Sequence, residues 1–277
     1  MLSMNWPLPL LVFLLLHWQV SVFFQSFFLH RYGAHRMFSM SHRWERFFHL
    51  CTYLAQGSSY LKPHAYAILH RTHHAYADAP GDPHSPAVHG NLLRMMLMTK
   101  RHFEDISQRG LIREPRFAGN APEWPALDRW GSSRTSSLLW AAAYTSVYAY
   151  FATAWWQWAL LPVHFMMGPL HGTIVNWCGH WVGYRNFDTD DRSRNSLVVD
   201  VLTCGELYQN NHHRFPSDPN FAQRWFELDV TFPAIWLFDR VGIIQRNDRR
   251  PGRASTARRR SEARERHAHR APRPGPA

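Results

Sequence analysis

Four groups of histidines are the residues of this sequence with the types and spacing to bind metal. In chain order they are His30 with His35, then His70, His73 and His74, then His180 preceded by Asn176, and finally His212 with His213. Positions i, i+3 and i+4 share one face of a helix, so the three imidazoles of the second group are expected to project together. Eight imidazoles are more than one ion takes, and they predict a centre for two metals. Ligation by nitrogen alone suits Zn, Cu, Fe or Ni, which leaves the metal open.

Each histidine group taken singly also has an ordinary explanation. A pair of histidines is more often a hydrogen-bonded feature of a core or a surface than a metal site. Eight imidazoles at one face of a protein, however, would need separate hydrogen-bond partners or would repel one another as cations. Metal ions that bind neutral imidazoles remove both problems, which favours a metal centre.

The composition narrows the class of protein. The 277 residues are enough for one domain, and the formal net charge is +11. The three cysteines lie far apart without a C-x-x-C pair, which argues against a disulfide framework and against a thiolate metal site.

Two long stretches without charged side chains predict the elements that position the histidines. The first covers residues 1–30, within which residues 7–29 are apolar and long enough to cross ~30 Å of hydrocarbon as a helix. A signal peptide would need a basic start and a small-residue cleavage site, and neither is present. The second stretch covers residues 135–184, which suits two spans, at about 137–158 and 160–181, joined by a turn near Trp155.

The distribution of Lys and Arg predicts the topology. All of them lie in residues 31–134 or 185–273, so the positive-inside rule places both segments in the cytoplasm and the N-terminus outside. Residues 44–61 are apolar but interrupted by charge, and they predict an amphipathic interface helix. The expected fold is an all-α membrane protein with about three transmembrane helices, the interface helix and a cytoplasmic helical cap that carries the histidines.

The C-terminal residues differ in composition from the rest. Residues 248–277 are dominated by Arg, Ala, Pro, Ser and Glu, which cannot bury a core. We expect a basic disordered cytoplasmic tail after a membrane-embedded domain of residues 1–247. Contact of this tail with anionic lipid headgroups is expected in preference to nucleic acid.

The histidine groups and the residues around them resemble the membrane fatty acid desaturase family, in particular the branch of stearoyl-CoA desaturases and bacterial delta-9-type enzymes. That family carries an HxxxxH box, an HxxHH box followed by Asp-Pro-His, an NxxxH element and a final HNxHH box. These motifs correspond here to His30–His35, His70–His74 with Asp82-Pro83-His84, Asn176–His180, and Gln209–His213. The resemblance covers about residues 8–247.

The resemblance implies two iron ions and O2 as co-substrate. The direct ligands that it implies are His30, His35, His70, His73, His74, His180, His212 and His213, with Asn176 acting through a bound water. It also implies that a cis double bond is introduced into a saturated fatty acyl chain carried on coenzyme A or on a lipid. No cytochrome-like or Rossmann fingerprint is present, so a separate ferredoxin or cytochrome b5-like protein with its reductase is expected as electron donor.

The sequence departs from the family's pattern in two places. Gln209 stands where the family usually has a ninth ligand histidine, so either its amide oxygen ligates weakly or one iron keeps an extra water. In addition, only one span precedes the first box, where the animal enzymes have two. Contacts of those enzymes with an acyl-CoA headgroup in that region therefore cannot be mapped onto this sequence.

Carboxylates near the boxes are expected to accept hydrogen bonds from the outer ring nitrogens of the ligands. The candidates are Glu206 and Asp82, followed by Asp78, Asp188 and Asp191. An apolar tunnel is expected to hold the acyl chain. By resemblance its lining includes Gln56, Tyr66, Gly172 and Thr173.

Two other functions compete with desaturation. A membrane hydroxylase or ketolase would share the histidine pattern, because hydroxylation and desaturation begin with the same hydrogen abstraction, and the Asp-Pro-His and NxxxH elements favour the desaturase. A non-catalytic membrane metal-binding or transport protein would place ionisable residues at mid-depth in the spans. Only the isolated His17 and His164 lie there in this sequence.

Overall fold

The computed structural model describes residues 8–247, so the predicted basic tail lies outside the described residues. Within this part the chain is mostly helical. The helices are α1 (Leu8–Phe24), α2 (His42–Gln56), α3 (Pro63–Tyr76), α4 (Pro86–His89), α5 (Leu92–Arg109), α6 (Pro125–Gly131), α7 (Arg134–Phe151), α8 (Leu161–Phe165), α9 (Met167–Trp181), α10 (Gln209–Arg214) and α11 (Thr231–Arg240). The strands are β1 (Phe38–Met40), β2 (Val199–Asp200), β3 (Leu228–Asp229) and β4 (Ile244–Arg246).

The first helix widens where the first histidine box begins. α1 continues into a π-helical segment, Gln25–Ala34, in which every residue is buried. A π-helix bonds each N–H to the carbonyl five residues earlier, and the backbone N–H of His35 donates to the carbonyl of His30 at 3.1 Å. Five residues of an α-helix would turn the two side chains about 140° apart. The wider turn instead leaves the rings of His30 and His35 with their centroids 5.0 Å apart.

An aromatic core supports this π-helical segment. Phe27 stacks on Phe38 of β1 with ring centroids 5.0 Å apart, and it meets Phe48 of α2 edge-on at 4.9 Å. Phe221 and Ile235 from the C-terminal part of the chain belong to the same buried cluster. The core therefore packs both ends of the described chain around the segment that carries the first histidines.

Four short strands depart from the all-α prediction. β1 pairs antiparallel with β4, and β2 pairs parallel with β3. Each strand has only two or three residues. Such lengths are too short to show the alternating pattern from which a strand is predicted.

The predicted membrane spans are only partly matched by long helices. Among the described residues one helix, Leu8–Ala34, is long and apolar enough to cross a membrane. α7 has 18 residues, whereas α8 and α9 have 5 and 15. The chain turns between them through a 3-10 segment at Trp155–Leu160, as the sequence predicted. The arrangement of three spans is therefore not confirmed and stays a prediction.

Candidate metal centre

Five of the eight histidines converge on one point. His30 and His35 come from the π-helical segment, His70 and His74 from α3, and His212 from α10. One ring nitrogen of each lies within 4.8 Å of the corresponding nitrogens of the others. We call these residues the five-histidine cluster.

The remaining three histidines form a second group beside the first. His73 of α3, His180 of α9 and His213 of α10 also bring one ring nitrogen each within 4.8 Å of one another, and we call them the three-histidine cluster. Neighbouring residues on an α-helix point about 100° apart. Each His-His doublet therefore sends one ring to each cluster, and the rings of His74 and His213 lie 4.5 Å apart where the clusters meet.

The ring nitrogens of the five-histidine cluster cannot satisfy one another. The distances between Nε2 atoms are 2.7 Å for His35–His70, 3.0 Å for His70–His74, 2.9 Å for His74–His212 and 3.1 Å for His212–His30. Each Nε2 of a neutral imidazole offers either one N–H or one lone pair. Because His70, His74 and His212 each face two other rings, at least one contact of each is left without a good hydrogen bond. A cation that receives the lone pairs fits this arrangement.

Burial and mutual repulsion favour the neutral, metal-binding form of these imidazoles. Burial lowers the pKa of His35, His70, His74 and His212 well below the usual histidine value, and the neighbouring imidazoles lower each pKa further. The four rings are therefore neutral at pH 7. Neutral imidazole is the form that ligates metals.

Each ring of the three-histidine cluster is bonded to an aspartate. The Nδ1 atoms donate to the carboxylates at 2.9 Å for His73–Asp82, 2.8 Å for His180–Asp78 and 2.6 Å for His213–Asp191. Burial alone would raise the pKa of Asp78, but the hydrogen bond from His180 outweighs it and lowers that pKa to about 2. Such a carboxylate orients the ring and makes its inner nitrogen a better donor to metal. The Nε2 atom of His180 is buried and has no partner among the described residues, as expected for an atom that faces an ion.

Glu206 has the corresponding role in the five-histidine cluster. Its carboxylate accepts from Nδ1 of His30 at 2.5 Å and from the hydroxyl of Ser26 at 2.5 Å. Burial would raise the pKa of Glu206, but His30, Arg31 and Ser26 together lower it to about 2. The structure thus places both leading carboxylate candidates, Glu206 and Asp82, against histidine rings. Asp188 is instead fully exposed and lies 3.8 Å from Arg185.

A buried arginine holds the first box against the C-terminal part of the chain. Arg31 is fully buried, and its guanidinium donates to Asp229 at 2.8 Å and to Ser26 at 2.6 Å. It also lies 3.9 Å above the ring of Phe221. This residue was not singled out from the sequence, because nothing distinguishes it from an exposed arginine until Asp229 is placed beside it.

Gln209 and Asn176 line a cavity that is also lined by His30 and His70 of the five-histidine cluster. The amide Nε2 of Gln209 donates to the backbone carbonyl of Glu206 at 2.7 Å. Its side chain packs on Gly179, where a Cβ atom would come within 2.3 Å of Cγ of Gln209. The nitrogen end of the amide is therefore committed to the backbone, and only its oxygen remains to face the cavity.

The cavity has a volume of about 680 Å³ and contains three of the four predicted tunnel residues, Tyr66, Gly172 and Thr173. Gln56 is not among the residues that line it. Instead, Gln56 lies behind Gln25, to which its amide donates at 3.4 Å. The ring of Tyr66 stacks on that of His70 at 5.9 Å with an angle of 7° between the planes.

One wall of the cavity was missed by the sequence reasoning. Residues of α5 line it along most of the helix; they are Leu93, Met95, Met96, Leu97, Thr99, Lys100, Phe103, Glu104, Ser107 and Gln108. Their spacing of three and four residues is the pattern of one helix face, and that pattern is visible in the sequence. What it could not show is that this face meets a cavity and not a packed core.

His84, from the Asp-Pro-His tripeptide, belongs to neither the five-histidine nor the three-histidine cluster. Its ring is buried, lies 4.4 Å from that of His73 with an angle of 35° between the planes, and lines the cavity. Neither of its ring nitrogens has a hydrogen-bond partner among residues 8–247. A neutral imidazole always carries one N–H, so His84 presents an unpaired donor beside the three-histidine cluster.

Comparisons with known proteins agree with this arrangement. A family model described as fatty acid desaturase matches residues 4–240. The hex-5-enoyl-[acyl-carrier protein] acetylenase of Moorena producens (strain JHB) is 27% identical over 252 residues, which cover 82% of this chain and 73% of that protein. The sn-1 stearoyl-lipid 9-desaturase of Anabaena variabilis is 28% identical over 237 residues, covering 84% and 81%. The delta-9 desaturase-like 2 protein of Arabidopsis thaliana is 27% identical over 235 residues, covering 79% and 70%.

Proposed function

The chain belongs to the fatty acid desaturase family, and we propose that it is an O2-dependent di-iron enzyme that introduces a cis double bond into a saturated acyl chain carried on a lipid or on coenzyme A. The observation that carries this proposal is a cavity of about 680 Å³ lined by His30 and His70 of the five-histidine cluster, which meets the three-histidine cluster where the rings of His74 and His213 lie 4.5 Å apart. The relatives named for a stearoyl-lipid and for delta-9 desaturation support the choice of reaction.

The donor set fits two iron ions. The five-histidine cluster would hold one, and the three-histidine cluster would hold the other with Asn176 and Gln209 on its cavity side. Eight imidazole nitrogen donors suit iron, which is one of the first-row metals that imidazole binds. What bound iron supplies is the activation of O2 and the removal of two hydrogen atoms from neighbouring methylene groups.

The overall reaction requires an electron donor. A saturated chain, O2, two electrons and two protons give the alkene and two molecules of water. The substrate supplies two of the four electrons that O2 needs, so a second protein must supply the others. A ferredoxin or a cytochrome b5-like protein with its reductase is the partner that we propose.

The protein's own residues position the reactants. Gly172 and Thr173 of α9 and Tyr66 of α3 form walls that hold an acyl chain and exclude water from it. The stacking of Tyr66 on His70 limits rotation of that imidazole. Glu206 and the three aspartates fix which nitrogen of each bonded ring carries its proton, so that the other nitrogen faces the metal.

Membrane topology is part of the same proposal. We place three spans in the bilayer with the N-terminus outside and the metal centre in the cytoplasm, supported by the helix Leu8–Ala34 and by the distribution of Lys and Arg. The exposed Ser217 lies after the last box. A Ser217→Cys variant should react with a membrane-impermeant maleimide in inverted vesicles and not in intact cells. Labelling of intact cells would overturn the orientation.

Production of fatty acids by a host that lacks its own desaturase tests the reaction. Total fatty acids would be measured by gas chromatography–mass spectrometry after expression of the chain with a compatible electron donor. A new monounsaturated acid is expected with the wild type and none with His73→Ala. The matched control is His64→Ala, which removes a histidine of the same helix that belongs to neither cluster.

Other products would change the conclusion in defined ways. Hydroxy acids would show the hydroxylase reaction in place of desaturation. An alkyne formed from an unsaturated acid would match the activity in the name of the Moorena producens relative. If an iron-loaded protein supplied with electrons forms no product, the proposal that the substrate is an acyl chain is wrong.

A further inference from the structure

The paired strands β2 and β3 expose their aliphatic side chains and bury their carboxylates, the reverse of the arrangement expected at a protein surface in water. Val199 pairs with Leu228, and Asp200 pairs with Asp229. Val199 and Leu228 are 53% and 46% exposed, whereas both aspartates are buried. A sheet with one face in water places its polar side chains outward and its aliphatic side chains inward. Here both strands do the opposite.

The exposed aliphatic side chains continue beyond the strands into one patch. We call it the inverted patch; its residues are Val198, Val199, Val201, Leu202, Trp225 and Leu228. All of them are exposed, and Trp225 is 94% exposed. Contiguous apolar surface of this kind marks a site of interaction with another protein or with a membrane.

The buried Asp200 holds the patch in this orientation. Its carboxylate accepts from the backbone N–H of Thr203 at 2.9 Å and of Leu207 at 2.9 Å. Its own carbonyl accepts from the N–H of Gly205 at 3.1 Å. Because successive residues of a strand point to opposite faces, anchoring Asp200 inward directs Val199 and Val201 outward.

Side chains satisfy the backbone carbonyls that border the patch. The hydroxyl of Tyr208 donates to the carbonyls of Val198 at 2.8 Å and Leu228 at 3.3 Å. Gln19 donates to the carbonyl of Val201 at 2.9 Å, and Trp18 donates to that of Leu202 at 2.9 Å. In water these carbonyls could bond to solvent. In a nonpolar medium backbone groups must be satisfied by the protein itself.

The same contacts place the patch beside the helix Leu8–Ala34, which is long and apolar enough to cross a membrane. Trp18 and Gln19 belong to α1, and the neighbouring Leu15, Leu16 and Val20 are also exposed. Trp18 precedes Gln25, where the π-helical segment that carries His30 begins, by seven residues, or about 10 Å of α-helix. The patch therefore lies well below the metal centre, toward the part of α1 that is proposed to face lipid.

We propose that the inverted patch inserts into the cytoplasmic leaflet of the membrane and anchors the C-terminal part of the chain beside α1. The patch is expected to reach the boundary between headgroups and acyl chains, a depth of about 5–10 Å for interfacial elements. Trp225 suits this level because tryptophan prefers the membrane interface. Continuity with the exposed face of α1 favours lipid over a second protein as the occupant.

Spin-label accessibility in lipid nanodiscs tests the insertion. Single cysteines at Val199→Cys and Trp225→Cys would carry a nitroxide, after Cys51 and Cys178 are replaced by serine. Cys204 can remain, because burial raises the pKa of its thiol to about 12 and shields it from the label. The ratio of collisions with O2 to collisions with a water-soluble nickel chelate reports membrane depth.

Two further positions calibrate the measurement. Leu16→Cys reports the proposed lipid-facing side of α1, and Asp188→Cys reports a fully exposed position of the cap. Labels at positions 199 and 225 are expected to show an O2-to-nickel ratio at least threefold above that at 188, approaching that at 16. A ratio equal to that at 188 would overturn the proposal, and so would low accessibility to both reagents, which would indicate a protein partner. The result does not depend on whether the enzyme makes an alkene.

Discussion

The two histidine clusters differ in the number of their imidazoles and in what supports those imidazoles. The five-histidine cluster has one bonded carboxylate among residues 8–247, that of Glu206 on His30. In the three-histidine cluster every ring is bonded to its own aspartate. One cluster thus has many imidazoles and one supporting carboxylate, and the other has few imidazoles with a carboxylate on each.

This difference indicates how the molecule compensates for a small ligand set. A carboxylate on the outer ring nitrogen makes the inner nitrogen more basic and fixes its direction. Three such pairs support a cluster beside which Gln209 stands on α10, four residues before His213.

Removal of one ligand from each cluster provides the largest test of this comparison. His73→Ala leaves two imidazoles of three, whereas His35→Ala leaves four of five. Loss of a ligand costs at least as much as loss of its outer partner, so product from His73→Ala should fall by roughly 100-fold or more, and that from His35→Ala by about tenfold. Product by gas chromatography and iron per chain by mass spectrometry would be compared. Equal losses in the two variants would show that ligand number does not separate the clusters.

Removal of a supporting carboxylate should have the next largest effect. Asp191→Asn keeps the shape of the side chain but gives His213 a weaker partner, and metal affinity at the three-histidine cluster should fall by about 10–100-fold. Glu206→Gln is the matched change at the five-histidine cluster. It should cost less, because four further imidazoles there have no bonded carboxylate. Metal retention during dialysis against a chelator measures both, and a greater loss from Glu206→Gln would reverse the comparison.

Addition of an imidazole should make the two clusters more alike. Gly179 leaves space beside position 209, and the carbonyl of Glu206 can accept from an outer ring nitrogen as it does from Gln209. Gln209→His should therefore retain the second metal about tenfold longer against a chelator. Gln209→Ala is the control, and it should resemble the wild type if the amide oxygen is not a ligand. A marked loss of metal in the alanine variant would show that Gln209 ligates.

The smallest effect is expected from a change at a histidine–aspartate pair outside the metal centre, and this effect is on stability. Asp128 accepts from His49 at 2.9 Å and from Tyr60 at 2.6 Å, and it joins α6 to α2. Asp128→Asn should destabilise the protein by about 1–3 kcal/mol, with a fall in Tm of about 2–4 °C for each kcal/mol. Metal content should stay unchanged, in contrast to Asp191→Asn. Loss of metal from Asp128→Asn would show that the effect on metal retention is not confined to the aspartates bonded to the three-histidine cluster.

The pH dependence of this pair has a defined sign. Burial would raise the pKa of Asp128, but hydrogen bonds from His49 and Tyr60 outweigh it and hold the pKa below the usual 3.8. A carboxyl with a lowered pKa in the folded state stabilises the protein above its unfolded value and loses that effect as the pH falls. The difference in Tm between wild type and Asp128→Asn should therefore be full at pH 6 and shrink below about pH 4.

The sequence predicted which residues would meet, and the family match confirmed the resemblance. The doublets His73-His74 and His212-His213 and the spacing of α3 follow from helical periodicity, which is a local property. The division into clusters of five and three was not predicted, since it depends on the π-helical turn at His30–His35 and on the directions of three separate helices. The partners Asp78 and Asp191 were among several equivalent candidates until the fold brought them to His180 and His213.

The remaining differences have similar causes. Gln56 was expected in the tunnel wall and lies one layer behind it, because Gln25 of the first helix stands between. Strands β2 and β3 depend on a pairing between residues about thirty positions apart. No local pattern reveals a contact of that kind. In addition, Val199 and Leu228 are exposed although aliphatic side chains are expected to be buried, so hydrophobicity does not predict which face of these strands is inside.

The buried bond between Arg31 and Asp229 joins two residues that are synthesised at very different times. The first histidine box leaves the ribosome almost two hundred residues before its partner aspartate, and His212 also follows late. At about 5–20 residues per second, this interval lasts roughly 10–40 s. During that time His30 and Arg31 lack their final contacts with His212 and Asp229. The newly made protein is therefore expected to acquire its metal only after the last quarter of the chain has been translated.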